Sequence, residues 1–132
     1  MLESQKRGIS NLERLRGQGY EYQLENYTSG LSELSVKAYK TGSQGHFFRI
    51  IFQTTLYVQT PVHWGNGDFH LATPDRHAML METLDLSPEQ KEQLLLFTAL
   101  PSKGTEILIL CHKVLVSQEI PFPCLAAGNG GV

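Results

Sequence analysis

Along residues 3–16 the apolar side chains fall at Ile9, Leu12 and Leu15, the three-residue spacing of one helix face, and Gly17-Gln18-Gly19 ends the segment. The period then shortens. Tyr20, Tyr22 and Leu24 alternate with Glu21, Gln23 and Glu25, the pattern of a half-buried strand. Alternation returns over 31–39, where Leu34, Val36 and Ala38 interleave with Glu33, Ser35 and Lys37, and residues 41–45 (Thr-Gly-Ser-Gln-Gly) carry turn chemistry. Residues 46–60 are dense in β-formers, with apolar residues on both parities, which predicts a strand covered on both faces in its first half. Pro61 cannot donate to a ladder and so places the following part at an edge or a bulge.

Two helix starts follow. Thr73 before Pro74 reads as an N-cap with proline at the first helical position, and Ala78, Leu80, Met81 and Leu84 supply the apolar face of a helix over 74–84. Ser87-Pro88-Glu89-Gln90 offers a capping box for a second helix over 88–98, with Leu94, Leu95, Phe97 and Leu100 on its apolar side and Pro101 closing it. Residues 105–117 read as a strand whose Ile-Leu-Ile-Leu start is buried on both sides. The order predicts an α+β fold: one domain over 1–121, a mostly antiparallel sheet of about five strands, and an N-terminal helix and a helical pair packed on it. Residues 122–132 read as a flexible tail.

The strongest local signal is Asn66-Gly67 between two aromatic-bearing runs, the pair that a two-residue hairpin turn favours. Counting outward places Trp64 opposite Phe69 and His63 opposite His70. Two chemistries follow from that register. Facing imidazoles at His63 and His70, completed by Asp68, Asp75 or His77, could hold a divalent metal and activate water for hydrolysis, although the spacing matches no established ligand motif. Trp64, Asn66 and Phe69 would instead make a rigid aromatic tip suited to docking a partner.

Composition narrows the function classes. With 132 residues, 41% hydrophobic and 18% charged, the chain has enough material for a real core. A net charge of −2 gives no general attraction for nucleic acid, and Lys6, Arg7, Arg14 and Arg16, set against Glu3 and Glu13, read as a solvated helix face. No apolar run is long enough to span a bilayer. Two cysteines, Cys111 and Cys124, make no disulfide framework, and without an export signal the expected compartment is the cytoplasm. No nucleophile elbow or P-loop is present, and Cys111 and His112, adjacent on a strand, point to opposite faces.

The leading expectation is therefore a small non-enzymatic interaction or regulatory module without a cofactor. It would bind a protein partner, or itself, through the hairpin tip or through an open edge at residues 20–25 or near Pro61. The alternatives are the metal site and a small-molecule pocket between sheet and helices.

Overall fold

The computed structural model describes residues 1–30, 32–40 and 46–121, so the expected turn at 41–45 and the expected tail at 122–132, with Cys124, lie outside the described residues. The chain runs α1 (Glu3–Glu13), β1 (Glu21–Thr28), β2 (Glu33–Tyr39), β3 (His46–Gln53), β4 (Tyr57–Gln59), β5 (His63–Gly65), β6 (His70–Leu71), α2 (Pro74–Met81), α3 (Pro88–Gln93), β7 (Leu95–Ala99), β8 (Ile107–Cys111), β9 (Lys113–Val116) and β10 (Ile120–Pro121). This is an α+β fold, and among the described residues every strand pairing is antiparallel.

The strands form two sheets rather than the single one expected. The first runs β5-β1-β2-β3, and both β9 and β10 pair along the outer edge of β3; the second runs β4-β8-β7-β6. The sheets face each other across one core that joins Tyr22, Val36, Ile50, Phe52 and Trp64 of the first to Phe97, Ile107 and Ile109 of the second. The far face of the second sheet buries Leu96, Leu108 and Leu110 against Met81 of α2, with Leu80, Leu84 and Leu86 packed alongside. The second sheet is thus covered on both sides, which explains why all five residues of β8 are buried. The first sheet has a solvated outer face, and β2 accordingly alternates between buried and half-buried residues.

The sheets are joined at a corner. β3 continues into β4 past Thr54, which has a positive φ of 54°, and β8 continues into β9 through His112. β3 pairs with β9 and β4 with β8, so one antiparallel ribbon turns from one sheet into the other. Its register slips by one residue at the bend, from Gln53↔Lys113 to Tyr57↔Leu110, as a bulge requires. The runs 46–60 and 105–117 are therefore continuous chain paths, each bent once.

α1 lies against β9. A Cβ at Gly8 would fall 2.0 Å from the Val114 carbonyl oxygen, so glycine alone permits this approach. Buried Gln5 fastens the helix by donating to the carbonyls of Gln93 (3.0 Å) and His112 (2.6 Å).

Three expectations are corrected. The second helix ends at Gln93, and Leu95–Ala99 is a strand, because the run Leu94 to Phe97 is buried on both parities between two cores. Residues 20–25 do not form an edge, since β1 lies between β2 and β5. The Asn66-Gly67 hairpin does not form: β5 pairs with β1 in the first sheet and β6 with β7 in the second. Asn66 does take a left-handed φ of 55°, but Gly67 is not among the residues of positive φ that a type I′ turn needs at both positions. What Gly67 provides is room, because a Cβ there would lie 2.9 Å from the Pro101 backbone.

Candidate functional site

Separation of the hairpin arms disperses the proposed metal set. His63 stands on the outer face of the first sheet, where its Nε2 lies 3.1 Å from Glu21 Oε1 and 2.9 Å from the Tyr39 hydroxyl. His70 is exposed on β6 in the other sheet, and Asp75 is exposed in the first turn of α2. The His77 ring Nε2 is 3.0 Å from the Leu94 carbonyl oxygen. Asp68 is turned inward, accepting the Tyr22 hydroxyl proton at 2.7 Å and the Gly17 N–H at 2.9 Å. Among the described residues no group of three or more His, Cys, Asp or Glu is placed to hold a metal ion.

The aromatic tip is likewise corrected. Trp64 is 4% and Phe69 1% exposed, so neither projects as a tip: Trp64 only lines the base of a cleft and Phe69 lies in the core. Their rings are edge to face at 5.7 Å, and Tyr22 stacks on Trp64 at 5.4 Å. The indole N–H donates to the Gly67 carbonyl at 2.9 Å, and Arg16 Nε donates to the Phe69 carbonyl at 2.9 Å. This cluster is a floor under the 63–69 segment, held by a full set of hydrogen bonds. Burial and the bond to Asp68 push the Tyr22 phenol well above its ordinary range, so it stays a donor.

On that floor lies a cleft of about 600 Å³, within the range of ligand sites. One wall is the stretch from Gln59 to Asn66, and the other is the turn from Pro101 to Glu106 between β7 and β8. Both ends are tied. At one, Gly67 abuts Pro101; at the other, Gln59 Nε2 donates to the Glu106 carbonyl at 2.7 Å. Glu106 is itself ion-paired with Arg76, which fixes that wall to α2. Asn66 is exposed at the rim, as are Ser102, Lys103 and Thr105.

Of the sequence candidates, the cleft gathers His63, Trp64 and Asn66, with Trp64 serving as floor. It leaves out Asp68, Phe69, His70, Asp75 and His77. Sequence reading missed Gly65, Lys103 and the 101–106 wall. Nothing in the residues Ser102-Lys103-Gly104 shows that this segment faces Pro61 and Asn66.

Elsewhere, Cys111 is fully buried, and burial pushes its thiol up to about 12, which leaves it unreactive. On the outer face of the first sheet Arg49 forms a two-pronged bond to Glu25, at 2.8 and 3.1 Å, and Ser35 adds a third at 2.8 Å. The Arg49 guanidinium holds the Glu25 carboxyl below its usual range.

The fold and cleft define a β/β/α layered arrangement with a concavity of ligand size at the edge where the sheets meet. Comparison with protein-family models, with curated proteins and with solved structures finds no match to the chain. No helix among the described residues is long and apolar enough to cross a membrane.

Proposed function

We propose that the protein is a small recognition module, not an enzyme, and that it seats its ligand in the cleft between residues 59–66 and 101–106. The observation that carries this reading is the way the cleft is built. A concavity of ligand size is tied at both ends and stands on a rigid, hydrogen-bonded aromatic floor. Preorganisation of that kind lowers the ordering cost of binding. The segment is the one that carries Asn66, but the surface it offers is the cleft beside the turn rather than an aromatic tip.

The test is a fragment screen by two-dimensional amide NMR on the full chain. Binding should shift amides of residues 59–66 and 101–106 together, and Asn66→Gly, which keeps the left-handed φ without strain, and Thr105→Ala should weaken the strongest hits without changing the thermal midpoint by more than a few degrees. Hits that cluster elsewhere, or a screen without hits, would overturn the reading.

A further inference from the structure

Resting on that reading, we propose that the occupant of the cleft is a segment of extended polypeptide, added to the free edge of β5 as a further strand of the first sheet, with an acidic group turned to Lys103. The ladder between β1 and β5 shows which backbone groups are available. Leu24 N–H donates to the Val62 carbonyl at 2.7 Å, and the register pairs Gln23 with His63, Tyr22 with Trp64 and Glu21 with Gly65. In an antiparallel ladder bonded and non-bonded pairs alternate, so Tyr22–Trp64 is the next bonded pair. His63 and Gly65 therefore direct their N–H and C=O groups away from β1. Among the described residues β5 has no second strand partner. Four backbone groups are thus set out along one wall of the cleft, in the geometry that an added strand satisfies.

Charge selects the kind of peptide. Three lining residues carry or can carry charge: His63, Lys103 and Glu106. His63 faces Glu21, and Glu106 is taken by Arg76. Lys103, exposed on the opposite wall, has no acidic partner among the described residues. A carboxylate on the peptide, from a side chain or a free C-terminus, completes that pair.

The experiment uses a phage library of random linear nonapeptides panned on the full chain, followed by affinity measurement for the selected peptides by fluorescence anisotropy. Gly65→Pro removes one outward N–H and blocks the edge while sparing the bonds to β1, since proline is tolerated where the missing donor faces outward. Gly65→Ala keeps the N–H, and its Cβ would meet only Glu21 Cγ at an ordinary 3.5 Å. The expected result is peptides rich in Asp or Glu, affinity within about twofold for Gly65→Ala, and a loss of about tenfold or more for Gly65→Pro. Lys103→Gln should cost about fivefold and flatten the salt dependence. A scan of single N-methyl groups along the selected peptide, on the unmodified protein, should show sensitivity at alternate positions, and this arm stands even if Gly65→Pro fails to fold.

Peptides indifferent to Gly65→Pro, an N-methyl scan without alternation, or a library without binders would overturn strand addition. Fragments that fill the cleft while the library yields nothing would leave the recognition module standing and reject its peptide ligand. Failure of both screens would reject both.

Discussion

A methyl group at position 67 would sit 2.9 Å from both N and Cα of Pro101, atoms that cannot swing aside as a side chain can. Gly67→Ala should therefore destabilise the protein by about 1–3 kcal/mol, the usual cost of overpacking, and should open the tied end of the cleft. Urea denaturation would measure the loss, and a variant as stable as the parent would refute the contact. Asn66 makes the opposite case. Its left-handed φ of 55° is one that glycine adopts freely, so Asn66→Gly should be close to neutral. At this scale the sequence showed which two residues were special but assigned the wrong reason. An Asn-Gly pair reports positive φ when both members need it, whereas here Gly67 is demanded by a neighbour distant in the chain. That neighbour cannot be seen from local pattern. His63 and His70 failed as a pair for the same cause: their register depended on a turn that does not exist.

Among the elements, β7 shows where propensity and burial part. Leu94 to Phe97 follows a capped helical start, and its apolar residues also fit helical spacing, so the pattern favoured one long helix over 88–98. The capping box at Ser87 is real, with Gln90 N–H bonding to the serine Oγ at 3.2 Å. The helix nonetheless stops at Gln93, because β7 fills the place between β8 and β6 and buries Leu96 in one core and Phe97 in the other. Hydrogen exchange should then find the amides of 95–99 among the slowest in the chain, and those of 88–93 much faster, since α3 buries none of its residues. Leu96→Ala should cost about 2–5 kcal/mol by chemical denaturation. Equal protection across 88–98 would instead favour a continuous helix. The helix starts, β1, β2 and the apolar run of β8 were all legible, since each announces itself through period or capping. The division into two sheets was not, because a bulge of one residue leaves almost no trace in composition.

For the molecule as a whole, stability should fall at both ends of the pH scale, for different groups. Glu25 has its carboxyl held low by Arg49, so its contribution is present above the ordinary carboxylate range and is lost as pH falls through the folded-state value. Cys111 and Tyr22 are shifted upward by burial, and their contribution is complete below about pH 9. It declines as pH rises, because the unfolded chain ionises first. Thermal midpoints across pH 3–11 should trace a plateau with both shoulders. Glu25→Gln should reduce the acid shoulder and leave the alkaline one, and Cys111→Ala should do the reverse at some cost in packing. A Glu25→Gln curve that parallels the parent at low pH would remove Arg49 from the account.

The turn at 102–105 that walls the cleft is also the one link between β7 and β8, and it is exposed throughout. β8 lies between β7 and β4, and its continuation β9 lies along β3, so the piece after the turn is gripped on both flanks by the piece before it. A single cut at Lys103 would sever the covalent chain without releasing either part. The molecule is therefore arranged as a long piece up to Lys103 and a short one after it, interlocked through the pairings of β8 with β4 and β7 and of β9 with β3, and suited to being made as separate polypeptides and reassembled.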